Sequence, residues 1–182
     1  LTNGTLNLNG FTLTVSPTGS TGTFLTDTGT KNITFNGGTI AITTSIATAF
    51  NNNAPTGFTT TAGTGTGTIS LTSSSAKTFV GRGSTFNCTL NQGGAGALTI
   101  SQANTFNNIT STYAGATTIT FPASTTTTVA AFTAAGTAGN LLTLNSSTAG
   151  TQATITLTGG GTVSTNYLTV QDIAFTPLAT DG

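Results

Sequence analysis

The chain has 182 residues, three basic and three acidic side chains, no histidine and a formal net charge of zero. Its length allows one domain with a substantial core, and its charged fraction of 3% is far below the usual quarter. The six charges, Asp27, Lys31, Lys77, Arg82, Asp172 and Asp181, are scattered, so no basic stripe is present to neutralise phosphates and nucleic acid is not an expected partner.

Low charge also argues against simple disorder, which pairs weak hydrophobicity with high net charge. Threonine makes up about one residue in four, and β-branched side chains favour pleated strands over helices. A chain with so little charge lacks the self-repulsion that keeps surfaces apart, so copies of itself are the expected partner.

The first predicted elements are the strands Leu6-Asn7-Leu8 and Leu13-Thr14-Val15, joined at an Asn9-Gly10 corner. Ile33-Thr34-Phe35 and Ile40-Ala41-Ile42 repeat the unit around Asn36-Gly37-Gly38. Residues 43–67 read as a loop excursion, with Asn51-Asn52-Asn53-Ala54-Pro55 and Gly63-Thr64-Gly65-Thr66-Gly67 as its turn-like tracts, and residues 130–140 read as a second. The tail from Thr176 loses the pattern at Pro177, which cannot donate to a strand ladder. A start at Leu1 with no basic segment leading into an apolar one is expected of a mature product or an excerpt. The most apolar stretch, Val129 to Gly139, is too short to span a bilayer, so no membrane span is expected.

Internal repetition is the organising signal. Val15, Ile42, Leu71, Ile100, Val129 and Leu157 advance by 27 to 29 residues and are expected to stack as one core column. A second phase runs through Leu6/Leu8, Ile33/Phe35, Phe58, Cys88/Leu90, Ile119/Phe121, Leu142/Leu144 and Leu168/Val170. A third is an aromatic ladder of Phe24, Phe50, Phe79 and Phe106. Asn9, Asn36, Asn91 and Asn145 fall at matching corners, where Asn tolerates a left-handed backbone and can bond along a stack, so they form an expected asparagine ladder.

Three apolar strands per circuit predict an all-β fold, a single-stranded parallel β-solenoid (β-helix) with three short strands per coil and about 27–29 residues per coil, one domain over residues 1–182. A meander of antiparallel hairpins competes, because Asn-Gly is also a hairpin signal. Hairpins, however, do not require each strand to return at the same phase through the whole chain.

Little in the sequence carries chemistry. Cys88 alternates with Phe86 and Leu90, which is the parity of a buried thiol rather than of a nucleophile beside a base. With no His, no Glu and one Cys, His or Cys metal binding is not expected, and no cofactor is implied. Asp27 and Asp172 stand in the first and last coils, too far apart for the carboxylate pair of a glycosidase, so the chain is not expected to be an enzyme. Gly159-Gly160-Gly161 and Gly81-Arg82-Gly83 match no phosphate loop. The glycosylation sequons at Asn3, Asn32, Asn87, Asn108 and Asn145 are a number that chance supplies in a Ser- and Thr-rich chain. Pairs such as Thr12/Thr14, Thr39/Ala41, Thr68/Ser70, Ala97/Thr99, Thr126/Thr128 and Thr154/Thr156 flank the apolar columns, as on the flat Thr faces of ice-binding solenoids, or as plain strand propensity.

Leu6 to Val15, Thr105-Phe106-Asn107-Asn108-Ile109-Thr110 and Ala116 to Leu157 resemble the Thr/Gly/Asn-rich repeats of large bacterial surface proteins and of phage fibre or tail proteins. That resemblance implies a right-handed parallel β-helix used for adhesion, fibres or particle surfaces, located outside the cell, on a cell surface or on a virion, and it implies no functional residues. The first expectation is a self-associating structural subunit of an extracellular filament or fibre. The alternative is an adhesin or phage receptor-binding module holding glycan surfaces, with Tyr113 and Tyr167 as aromatic platforms; an ice-binding solenoid comes third.

Overall fold

In the computed structural model, which describes residues 1–16 and 23–177, every regular element is a strand. Alternation of apolar and polar residues at a period of two turns one side of each strand inward, and parallel pairing stacks the strands coil upon coil. The first three coils each hold three strands. These are β1 (Gly4–Asn7), β2 (Thr12–Val15) and β3 (Phe24–Thr26), then β4 (Lys31–Thr34), β5 (Thr39–Ile42) and β6 (Thr48–Asn52), then β7 (Phe58–Thr61), β8 (Gly67–Leu71) and β9 (Lys77–Val80). Later coils hold a long strand and a short one: β10 (Thr85–Gln92) with β11 (Leu98–Ser101), β12 (Thr105–Ser111) with β13 (Thr117–Phe121), β14 (Thr126–Thr133) with β15 (Leu142–Ser146), and β16 (Ala153–Val163) with β17 (Leu168–Gln171). β18 (Ile173–Thr176) follows.

All pairings between these strands are parallel. The fold is therefore a parallel β-solenoid of about six turns with three walls, and the antiparallel meander is excluded. One wall is the sheet β1-β4-β7, the second is β2-β5-β8 continued by β10, β12, β14, β16 and β18, and the third runs β3-β6-β9-β11-β13-β15-β17.

The coil length is not constant, which corrects the expected 27–29-residue period. Along the second wall the inward partners Leu13, Ile40, Ile69, Leu90, Ile109 and Phe132 are 27, 29, 21, 19 and 23 residues apart. The physical reason is a lost corner. In the first two coils the first and second walls meet at left-handed turns: Asn9 and Gly10 have φ of 48° and 81°, Asn36 and Gly37 have 47° and 78°. The turns are closed by Phe11 N donating to Leu8 O at 2.9 Å and Gly38 N to Phe35 O at 2.8 Å, the arrangement Asn-Gly favours. From β10 onward the strand passes straight through this corner with only a bulge between Phe86 and Thr89. Its first half still follows the first wall, where Asn87 N and Nδ2 donate to Thr60 Oγ1 and O at 2.6 Å each.

The loop expectations change accordingly. Residues 43–67 contain β6 and β7 rather than one excursion. Residues 130–133 belong to β14, so the second excursion is confined to 134–140, where Thr137 and Asn140 exchange backbone hydrogen bonds of 2.9 Å. A further bulge at Thr158–Gly161 separates the Val129–Leu157 and Ala131–Thr162 pairs. Gly159 and Gly160 there have φ of 62° and 71°, a backbone that L side chains resist.

The inward side chains form one continuous core. Its aromatic centre is a stack: Phe24 on Phe50 with centroids 5.4 Å apart, Phe50 on Phe79 at 4.5 Å, and Phe86 edge-on to both Phe50 and Phe79 at 5.6 and 4.9 Å. Such rings contribute dispersion and offset-stacking energy beyond their area burial.

Candidate functional site

The inward parity of the strands decides where the few chemistry-bearing side chains go. Lys31 shares parity with Ile33, and Lys77 with Phe79, so both lysines enter the walls and are almost fully buried. Lys31 Nζ donates to Gly29 O at 3.0 Å and Ala54 O at 2.8 Å. Lys77 Nζ donates to Ser73 O at 3.1 Å and to Gly96 O. Each ammonium therefore ties corners of successive coils together through backbone carbonyls. Burial lowers the Lys77 ammonium from 10.5 to about 8, since the charged form loses its hydration. Arg82 alone among the basic residues is exposed.

Gln92 completes the Lys77 corner, donating through Nε2 to Gly96 O and Thr117 Oγ1 at 2.7 Å each. Its Oε1 and the Oδ1 of Asn91 are buried without a hydrogen-bond partner. At the corner between the third and first walls a hollow of about 430 Å³ is lined by Thr28, Gly29, Thr30, Ala54, Thr56 and Gly57. Two of its lining residues, Gly29 and Ala54, supply the carbonyls that accept from the Lys31 ammonium. Asp27, beside the hollow, accepts from Thr28 N at 2.9 Å and Asn53 Nδ2 at 3.3 Å. Asp172 follows β17 at the other end of the stack and accepts from Gly150 N at 2.8 Å; Asp181 lies outside the described residues. Six coil spacings separate Asp27 from Asp172, about 30 Å at 4.8 Å each, so among the described residues these two carboxylates form no pair. Among the described residues no three His, Cys, Asp or Glu side chains gather to hold a metal ion. Cys88 is fully buried and its pKa is raised by burial, which suppresses the thiolate.

The predicted ladders are partly assembled. Val15, Ile42 and Leu71 stack in register, and so do Val129 and Leu157. The column is broken between them: Leu71 pairs with Gln92, whereas Ile100 stacks on Phe79 in the third wall. Phe24, Phe50 and Phe79 form one column, but Phe106 pairs with Phe86 across the core and meets Phe79 only edge-on at 5.4 Å. Asn9 and Asn36 occupy equivalent corners, where Asn36 Nδ2 donates to Asn7 Oδ1 at 3.0 Å. Asn91 and Asn145 instead lie within β10 and β15, bonded to Ser70 and Thr112 and to Thr120. The ladder thus breaks because the corner that would have carried it disappears after the third coil.

The threonine pairs are likewise distributed over all three walls. Thr12/Thr14, Thr39/Ala41 and Thr68/Ser70 lie on the second, Ala97 and Thr99 at the third, and Thr126/Thr128 and Thr154/Thr156 on the run that continues the first. No single plane gathers them. Shorter threonine columns do form, the longest being Thr85, Thr105, Thr128, Thr156 and Thr176.

The remaining feature is the pair of edges of the stack, of which the one at Leu1 to Val15 is also legible in the sequence as a repeat that carries no charge before Asp27. Within the described residues β1, β2 and β3 have a strand neighbour on one side only, as do β17 and β18. Their inward side chains Leu6, Leu13, Val15 and Phe24 at one edge, and Leu168, Ile173 and Phe175 at the other, are only partly buried against the core, while Val170 is 49% exposed. No helix of the described residues is long and apolar enough to cross a membrane. Compared with known proteins, the chain matches no family model, no curated protein and no solved structure.

Proposed function

We propose that the chain is a structural, self-associating solenoid, a non-enzymatic subunit of an extracellular filament or fibre of a cell surface or virion. The observation that carries this reading is the pair of edges. Exposed strand edges recruit further strands unless charge, proline or a cover blocks them, and no strand among β1, β2, β3, β17 and β18 contains a charged residue or a proline. Because every strand is parallel, the starting edge of one copy is complementary to the finishing edge of another. Such a heterologous contact does not close and grows into a rod. The bacterial-surface or phage-fibre class rests on the style of the repeats.

The test is light scattering of the purified chain over a wide concentration range, with electron microscopy of the same samples. Rods whose length grows with concentration are expected, and Val170→Lys, which places a charge at the finishing edge, should shorten them while preserving the β-sheet circular dichroism spectrum. A strictly monomeric species at high concentration refutes the proposal. A second reading, glycan binding, is favoured by one observation: Tyr113 and Tyr167, the latter 53% exposed, both lie on connections from the second to the third wall. Unchanged glycan or cell-surface binding by the Tyr113→Ala/Tyr167→Ala double variant would remove it.

A further inference from the structure

Three Asn-Gly dipeptides occur in the chain, Asn3-Gly4, Asn9-Gly10 and Asn36-Gly37, and the fold treats them differently. The second and third form the same turn with nearly the same backbone angles, 48° and 81° against 47° and 78°, so they make an internal controlled comparison. At Asn36 the neighbouring coils clamp every reacting group. Asn36 Nδ2 donates to Asn7 Oδ1 at 3.0 Å, Thr64 N donates to Asn36 Oδ1 at 3.0 Å, and Gly37 N donates to Gly65 O at 2.9 Å. The clamp comes mostly from the third coil, whose longer corner over residues 62–66 folds across the second. At Asn3 the side-chain Oδ1 accepts from Thr30 N at 3.1 Å and Gly4 N donates to Thr30 O at 3.0 Å. At Asn9, among the described residues, the side-chain amide and the Gly10 N–H make no hydrogen bond, and both residues are exposed; the backbone N of Asn9 is held by Asn7 Oδ1 at 3.1 Å.

We propose that Asn9 is a site of covalent modification, a spontaneous deamidation that the fold permits there and suppresses at Asn36 and Asn3. Glycine after asparagine leaves the attacking nitrogen sterically open, since it has no Cβ. The Gly10 amide nitrogen gives up its proton to water and bonds to Asn9 Cγ; the bond from Cγ to the side-chain nitrogen breaks and ammonia leaves. Water then opens the resulting five-membered imide at either carbonyl, giving aspartate or isoaspartate, so the net change is one water gained and one ammonia lost. At Asn36 the same attack requires Gly37 N to leave Gly65 O, and the side chain to leave Asn7 and Thr64. Three hydrogen bonds of ordinary net strength separate the two sites, a rate difference of about a hundredfold, or about 2.7 kcal/mol at 1.36 kcal/mol per tenfold. The product places a new negative charge at the corner between the first and second walls of a chain whose formal charge is zero.

The experiment is incubation of the folded protein at mildly alkaline pH, followed by proteolysis and mass spectrometry of the three Asn-Gly peptides, with a parallel incubation in denaturant. Asn9 should convert about a hundredfold faster than Asn36 in the folded protein, with Asn3 also protected, and the three rates should converge in denaturant. The isoelectric point should fall as the Asn9 product accumulates, and Asn9→Gln should abolish that early acidic species. Equal rates for Asn9 and Asn36 in the folded state overturn the inference, and so does an Asn9 as inert as Asn36 while the denatured chain reacts.

Discussion

Lys77 is a buried ammonium held by two carbonyls, and its titration should be visible in the stability of the whole chain. Burial brings its folded value to about 8, against 10.5 for the free group. Below pH 8 both folded and unfolded chains carry the proton, and the fold bears the full penalty of the buried charge. Between about 8 and 10.5 the unfolded chain holds a proton that the folded chain has released, so stability rises with pH through this window. The full shift corresponds to about 3 kcal/mol at 1.36 kcal/mol per unit, and water reaching the corner reduces the observable part to about 1–3 kcal/mol. Lys77→Met should remove the effect and be at least as stable as the parent at pH 7. It leaves both carbonyls satisfied, because Ser73 O still accepts from Gly96 N and Gly96 O still accepts from Gln92 Nε2. The assay is thermal and denaturant unfolding of both proteins from pH 7 to 10.5, followed by circular dichroism. All other titrating groups are shared, so the parent-minus-variant difference isolates Lys77. A parent whose relative stability is flat or falls across the window, or a variant destabilised by more than about 2 kcal/mol at pH 7, would refute the reasoning.

Phe79 sits fully buried between Phe50, Phe86 and Phe106, and Phe79→Ala should lower the unfolding free energy by about 3–5 kcal/mol in denaturant titration. A Cβ at Gly67 would lie 2.2 Å from the Cβ of Phe35, so Gly67→Ala should destabilise by about 1–3 kcal/mol. Gly65→Ala, whose nearest contacts are at 3.4 Å, should be much milder in the same titration. Cys88 should resist a water-soluble thiol reagent in the folded protein and react fully in denaturant, because its thiol is buried and its pKa raised; rapid labelling of the native chain would contradict its placement in the core.

Much of the architecture follows from strand parity alone. Leu6 to Val15 and Ile33 to Ile42 state the inward positions, and the Asn-Gly pairs between them state the left-handed corners; both are local properties of residue type, so the first two coils are legible directly. Burial of Lys31 and Lys77 was also written in the sequence, since each holds the inward position of its strand, at Lys31-x-Ile33 and Lys77-x-Phe79. A charge count treats them as surface groups because it ignores that parity.

Pairing beyond the third coil was decided only by the tertiary structure. An apolar column requires inward parity, which survives any change in coil length that keeps the strand in phase, so Ile100 fits the spacing of Leu71 as well as it fits its real neighbour Phe79. The chain turns a corner at Asn9-Gly10 and at Asn36-Gly37 but runs through the equivalent place, Phe86 to Thr89, with only a bulge. That choice shortened the circuit, moved Ile100 and Phe106 to other walls and dispersed the threonine and asparagine columns. The sequence by itself determined that the chain winds as parallel strands around an apolar interior; the stacking of one coil on the next determined which residues meet, because register is a property of two neighbouring coils rather than of either one alone.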